Sequence, residues 1–232
     1  MEISIGTLYI VSTPIGNLED VTLRALRTLE QVDLIVTEDT RHSRKLLKHY
    51  EISKRVISYH DHSSAIKLEK VIGYLQEGKS LAYMTDAGTP GVSDPGFLLV
   101  RAAIEHDIPV SPIPGPTAAI AGLVGSGLPM NRFVFEGFLP FKSGKRRTRL
   151  SALQSETRTM IFYESPHRLL KCLTDMLDIF GNRHICVCRE LTKKFEEYIR
   201  GSLLDVTRCF ESSRPRGEFT LIVRGVTDKK ST

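Results

Sequence analysis

Tryptophan is missing from this 232-residue chain, and cysteine, with four residues, is scarce. None of Cys172, Cys186, Cys188 and Cys209 belongs to a Cys-x-x-Cys pair. That disfavours a zinc ribbon and a disulfide-stapled secreted scaffold. Cys186 and Cys188 are expected on opposite faces of a strand, and all four cysteines as small buried residues of a reducing compartment. No apolar run approaches the roughly 20 residues that span a bilayer. Residues 1–6 lack the basic and apolar segments of a secretory signal, so a soluble, cytoplasmic protein with no membrane partner is expected. No Gly-x-Gly-x-x-Gly follows a strand, which disfavours a nicotinamide dinucleotide enzyme. No Gly-x-Ser-x-Gly elbow is present either. His60 and His62 flank Asp61, but no third ligand is spaced to complete a metal site. They read as a polar loop, and no metal is expected.

What is present is ordinary for a globular protein: 41% hydrophobic and 25% charged residues, with a net charge of +5. The small basic excess is compatible with a polyanionic partner without demanding one. Strand-like and helix-like segments alternate through the first half. Strands are expected at Leu8–Ser12, Asp33–Thr37, Arg55–Tyr59, Ser80–Thr85 and Val110–Ile113. Helices lie between them, one carrying Leu68, Val71, Ile72 and Leu75 at i, i+3, i+4, i+7. This rhythm predicts an α/β protein whose N-terminal domain (1–116) is a mostly parallel sheet with helices on both faces. A proline- and glycine-rich break introduces a linker region (117–129) that contains a small-residue helix. A mixed α/β sheet domain (130–232) follows, with strands expected near 133–135, 159–163, 184–189, 198–200 and 219–224 and a helix stripe from Leu169 to Phe180. Residues 227–232 are expected to fray. Gly73-Tyr-Leu-Gln-Glu-Gly78-Lys79-Ser80 matches a phosphate-loop pattern. There a helix precedes and a strand follows, the reverse of what phosphate binding needs. Gly78 reads instead as a helix cap.

Two loops carry the chemistry. Thr85-Asp-Ala-Gly-Thr-Pro-Gly-Val-Ser-Asp-Pro-Gly96 holds three glycines, two prolines and two aspartates in twelve residues after a strand. Glycine lets a ligand approach the backbone, and proline stiffens the path. A plain surface turn rarely needs so many special residues. The second, Pro112 to Ala119, sets Thr117 before a helix rich in alanine. Those small residues could admit a ligand or could allow close packing on a sheet, and the composition leaves both open. In parallel sheets ligands bind at the carboxyl ends of the strands, where both loops lie.

At Leu8-Tyr-Ile-Val-Ser-Thr-Pro-Ile-Gly-Asn-Leu-Glu-Asp20 the chain resembles the ribosomal RNA branch of the tetrapyrrole-methylase superfamily. So do Glu38-Asp-Thr-Arg41, Asp86 to Gly96 and Pro114-Gly-Pro-Thr-Ala118. The likeness continues in Gly137-Phe-Leu-Pro140, Tyr163-Glu-Ser-Pro-His-Arg168, Arg189-Glu-Leu-Thr-Lys193 and Arg216-Gly-Glu-Phe-Thr220. The resemblance covers nearly the whole chain, which ends soon after the last motif, where many members carry a further small region. It implies a two-domain homodimer that holds S-adenosyl-L-methionine in a cleft between its domains. The reaction implied is methylation of a cytidine ribose 2′-hydroxyl in the decoding region of 16S rRNA, free or in the small ribosomal subunit. The cofactor contacts it implies are Pro14, Asp86, Gly88, Thr89, Val92, Ser93, Thr117, Ala118, Leu139, Tyr163, Phe219 and Thr220.

A protonated ribose hydroxyl is a poor nucleophile and needs a proton acceptor. Glu38 and Asp39, at an expected strand end, are the candidates, with Arg41 to hold a phosphate. Alternatively Glu38 pairs with Arg41, or Asp39 caps the helix that follows. Lys142, Lys145, Arg146, Arg147 and Arg149 give five cations in eight residues. Beside Phe138 and Phe141 they suit an RNA strand, although a basic run is ordinarily a solvated helix face. His167, Arg168, Arg189 and Lys193 are further RNA candidates. A methylase of a small corrin or porphyrin ring and a non-catalytic RNA-binding protein are the competing readings.

Overall fold

In a computed structural model describing residues 6–59, 65–211 and 214–226, the chain forms two compact units, Met1–Thr117 and Ala118–Thr232. His60, His62 and the tail 227–232 lie outside the described residues. The first unit holds five strands, β1 (Leu8–Val11), β2 (Leu34–Thr37), β3 (Val56–Ser58), β4 (Leu81–Met84) and β5 (Val110–Ile113). All are parallel, in the order β3-β2-β4-β1-β5. β2 and β4 are buried along their whole length, as a sheet covered on both faces requires. Four helices cover it: α1 (Leu23–Gln31), α2 (Thr40–His49), α3 (Ala65–Gln76) and α4 (Phe97–Glu105).

The chain moves one way across the sheet from β1 through β2 to β3, then back through β4 to β5. Right-handed crossovers in opposite directions deliver helices to opposite faces. Accordingly Ala25, Leu29, Leu46 and Leu47 of α1 and α2 enclose one core with Ile35, Ala82 and Met84. On the other face, Val71, Ile72, Leu75 and Leu99 of α3 and α4 close over Leu8, Val36 and Tyr83. The loops leaving β1 and β4, which are neighbours, therefore diverge to opposite faces, the arrangement that opens a crevice in α/β sheets. The segment 73–80 runs from α3 into β4, with Gly78 in the left-handed region at φ 86°.

The second unit contains α5 (Ala118–Ser126), β6 (Phe133–Phe138), α6 (Ser143–Ala152), β7 (Thr159–Glu164) and α7 (Leu169–Phe180). It continues with β8 (His184–Arg189), β9 (Glu197–Ser202), α8 (Leu203–Glu211) and β10 (Phe219–Val223). Its sheet runs β6-β7-β10-β8-β9. β6 and β7 are parallel and the other pairs antiparallel. One face packs against α6, α7 and α8 through Leu150, Leu173, Met176, Val206 and Phe210. α5 lies on the other face. A Cβ at Gly122 would stand 3.1 Å from Thr220 Cγ2, and one at Gly125 would stand 2.4 Å from the Tyr198 ring. Gly122 and Gly125 thus serve close packing on the second sheet, and the stretch expected as a linker is mostly this helix.

Two differences from the sequence reading have simple causes. Strand side chains two residues apart share a face, so Cys186 and Cys188 point the same way, not opposite ways. Their sulfurs lie 3.7 Å apart, and both are free thiols; Cys172 is buried as expected, whereas Cys209 lies on the exposed side of α8. The helix α8 was not among the expected elements, although Leu203, Val206, Thr207 and Phe210 are buried at i, i+3, i+4, i+7 spacing.

Candidate active site

Because every strand of the first sheet points one way, the loops after β1, β2, β4 and β5 leave the same edge. Three of them are bound together. Thr13 and Gly88 exchange backbone hydrogen bonds of 2.8 and 3.0 Å, an isolated antiparallel bridge joining the β1 and β4 loops. Beside it, the hydroxyls of Ser12 and Thr89 are 3.0 Å apart, and Thr89 Oγ1 also donates to the Pro116 carbonyl at 3.4 Å. Gly88 takes φ 77°, a conformation that favours glycine. Gly115 permits a different intimacy: a Cβ there would sit 2.8 Å from that of Ser12. Pro14 and Gly88 are buried, whereas Asp86, Gly91 and Ser93 are exposed. Ser93 holds φ 63°, a strained setting that functional loops concentrate. Beneath Pro90, Gly91 and Val92 lies an apolar cavity of about 250 Å³ floored by Tyr83, Phe97 and Val100.

The acidic residues at this edge divide into two kinds. Asp39 is the N-cap of α2, accepting from Arg41 N at 2.8 Å and from the Arg41 guanidinium at 2.9 Å. Those bonds hold its carboxyl low, at about 2, which makes it a weak proton acceptor. Arg41 therefore pairs with Asp39 and not with Glu38. Asp94 behaves oppositely. Burial raises its pKa, and the charges of Glu38 and Asp86 raise it further, to about 6, while a 3.5 Å bond from Thr85 Oγ1 pulls the other way. The sequence reading gave Asp94 no role. The available signal was a second acid in a loop that already contributed Asp86.

In the second unit the expected contacts separate by face. The Tyr163 hydroxyl accepts from Ala119 N at 3.0 Å, fixing the first turn of α5. The Leu139 and Phe219 side chains belong to the core, Phe219 meeting Phe210 edge-on at 5.9 Å. The Thr220 side chain is buried against Gly122. Any contact that Leu139 or Phe219 makes to a ligand would be through the backbone.

The basic run forms α6, and its side chains are not equivalent. Arg146 is buried, 5% exposed, and pairs with Asp175 of α7 at 2.6 Å. Arg147 bridges Asp175 and Asp178, and Arg149 holds Glu136 in two bonds of 2.8 Å. These arginines tie the helix to the rest of the unit; the expectation that they form a solvent-facing strip with Lys142 and Lys145 fails at Arg146, whose side chain is enclosed. Lys142 and Lys145 are exposed. Arg168 pairs with the buried Glu164 at 3.2 Å and donates to Leu139 O at 2.6 Å. Arg189 bonds the Arg216 carbonyl and faces Glu197. His167 is exposed. Among the described residues no cluster of His, Cys, Asp and Glu could hold a metal ion, and no helix is long and apolar enough to cross a membrane.

The model of the tetrapyrrole (corrin/porphyrin) methylases matches residues 7–207. The chain is also 50% identical to ribosomal RNA small subunit methyltransferase I of Halalkalibacterium halodurans, over 97% of its length and 78% of that protein. The chain belongs to the tetrapyrrole methylase family. Two further relatives of this methylase carry the same name. One, from Synechocystis, is 51% identical over 96% of this chain and 80% of its own. The other, from Escherichia coli O157:H7, is 49% identical over 95% and 78%. Among solved structures, diphthine synthase superposes with a TM-score of 0.72 at 14% identity, covering 96% of this chain and 91% of that one. Cobalt precorrin-4 methyltransferase gives 0.70 at 16%, covering 94% of each. At such identities these two show the methylase's fold alone.

Proposed function

We propose that this methylase is a cytoplasmic enzyme that transfers a methyl group from S-adenosyl-L-methionine to a cytidine ribose 2′-oxygen in the decoding region of 16S rRNA. The observation that carries this reading is identity near 50%, across almost the whole chain, to proteins named ribosomal RNA small subunit methyltransferase I. The solved ring methylases share the fold at only 16 and 18% identity.

The first unit suits such a cofactor on its own geometry. A Cβ at Gly91 would meet nothing within 4 Å, so that stretch of backbone is open to a ligand. The charges of Glu38 and Asp86 both oppose ionisation of Asp94, and a cationic ligand relieves that repulsion. Pro14, Asp86, Gly88, Thr89, Val92, Ser93 and Thr117 would hold it. When bound, the cofactor supplies an electrophilic sulfonium methyl. The protein's part is to place the ribose oxygen in line and receive its proton. Alignment of this kind contributes roughly 7–11 kcal/mol. Glu38 and Asp94 are the proposed proton acceptors, since a pKa near 6 keeps Asp94 mostly ionised at neutral pH and still basic. Asp39 positions Glu38 by starting α2. The same reading takes the chain as a homodimer, in which the exposed Phe97 and Ile104 of α4 would be covered; light scattering tests it.

The deciding experiment incubates the protein with isotopically labelled cofactor and small subunits from cells lacking this gene, then digests the RNA to nucleosides. Label in 2′-O-methylcytidine is expected. Label in a base, or only in an added tetrapyrrole, overturns the assignment.

A further inference from the structure

The registers of the second sheet gather several loops at one of its ends. β6 and β7 finish together, with Phe138 opposite Tyr163. β10 begins where β7 ends, Phe219 opposite Glu164. β8 ends at Arg189 opposite the same Phe219, and β9 begins beside it at Glu197. Segments 138–145, 164–168, 189–197 and 216–219 therefore share one edge.

Three aromatic rings stand out in the solvent there. Phe138, Phe141 and Phe195 are 55, 79 and 63% exposed, although covering a large ring is normally worth about 1.5–3 kcal/mol. Cations accompany two of them: the Arg168 guanidinium lies 5.7 Å from the Phe141 centroid, and Lys194 Nζ lies 5.7 Å from that of Phe195. Lys142 and Lys145 are exposed beside Phe141, and the first turn of α6 contains no acid. The acids of the same edge are engaged. Glu190 and Glu218 hold Lys193 at 3.0 and 2.8 Å, Glu197 faces Arg189 at 3.4 Å, and Glu196 accepts from Thr192 N. Glu218 and Glu197 stay exposed within their ion pairs, and Lys142, Lys145 and Lys194 stand in the solvent between the rings.

We propose that this end of the second sheet is a platform for a single-stranded segment of RNA flanking the methylated nucleotide. Phe141 and Phe195 stack on bases, and Lys142, Lys145 and Lys194 meet phosphates. The proposal rests on the reading that the substrate is RNA. Rings need open base faces, which a duplex hides and a single strand offers. Arg168 is a positioning residue. Fastened by the buried Glu164, it grips the Leu139 carbonyl at 2.6 Å and fixes the turn that delivers Phe141. A surface set before binding loses less freedom on association.

The test measures fluorescence anisotropy of a short labelled single-stranded RNA, and of the same sequence annealed to its complement, against the full chain. Phe141→Ala and Phe195→Ala are each expected to weaken single-strand binding by roughly 5- to 100-fold. Both side chains are exposed, so thermal unfolding should not change. Replacing Lys142 and Lys145 together by alanine should flatten the log–log salt dependence by about 1.4, some 0.7 for each lost phosphate contact. Wild-type affinity in both ring variants, or equal affinity for duplex and single strand, overturns the platform. Methyl transfer to small subunits, measured separately on the wild-type chain, decides the underlying reading. Normal transfer alongside unaffected ring variants sinks the platform alone.

Discussion

Thr13 and Gly88 exchange both of their backbone hydrogen bonds, so the loops after β1 and β4 are held as a two-residue ladder beyond the sheet itself. Gly88 reaches that geometry at φ 77°. Alanine there should cost about 1–2 kcal/mol of left-handed strain. The nearest obstacle to the new methyl is Ile15 Cγ2 at 3.5 Å, so Gly88→Ala should fold. Its affinity for S-adenosylmethionine should fall about 10-fold, equivalent to 1.4 kcal/mol, as calorimetric titration reads it. Unchanged affinity would mean that the bridge does not frame the cofactor site.

Asp94 sets a pH dependence whose sign can be worked out. Its folded pKa, about 6, lies above the ordinary 3.8 because of burial and of Glu38 and Asp86. Between those values the native state binds more protons than the unfolded one. This residue's contribution to stability is therefore complete at low pH and is lost as pH rises through about 6. Asp94→Asn should stabilise the protein at pH 8 by about 1 kcal/mol, the partial exposure of the carboxylate screening the rest. At pH 5, between the two values, roughly half of that gain should remain, and at about pH 3 little of it. Methyl transfer by the wild type should rise across pH 6, and the variant should lose both the rate and that limb. A variant less stable at pH 8 than at pH 5, relative to wild type, contradicts the assignment.

The sequence conveyed the layered fold because strands buried on both faces leave continuous apolar runs, as at Leu34–Thr37 and Leu81–Met84. It conveyed the site loops because glycine and proline are concentrated after those runs. Pairings between distant segments were not legible. Whether Arg146 faced solvent depended on Asp175, which is brought beside it only when α6 packs on α7. That Phe219 turns inward depended on the position of Phe210. The basicity of Asp94 depended on Glu38, which follows a different strand. Nor could composition show that Gly122 is the residue of α5 that lies close against Thr220.

The Arg146–Asp175 pair should matter for stability more than for RNA. Both groups are nearly enclosed, and the 2.6 Å bridge joins α6 to α7. Asp175→Ala strands the guanidinium without its counter-ion, and breaking a buried pair costs about 3–5 kcal/mol. Changing Arg146 to Met as well should recover part of that, since an apolar pair avoids the desolvation penalty. Urea unfolding of the two variants gives the comparison. If Asp175→Ala is as stable as wild type but binds RNA less well, Arg146 belongs to the RNA surface after all.

The carboxylates around Asp94 also predict how the protein tells cofactor from product. S-adenosylmethionine carries a sulfonium charge that S-adenosylhomocysteine lacks. A cation held near Glu38, Asp86 and Asp94 favours their ionised forms, so the pKa of Asp94 should drop on binding and its proton should leave. At pH 6 the free protein holds that proton about half the time, which caps the release from this residue at about half a proton per site. Calorimetric titrations in buffers of different ionisation enthalpy measure it directly. Release should be clear for the cofactor, smaller for the product, and absent for both in Asp94→Asn. Equal release for the two ligands, or net uptake with the cofactor, would place the sulfonium away from these carboxylates and would remove Asp94 from the list of proton acceptors.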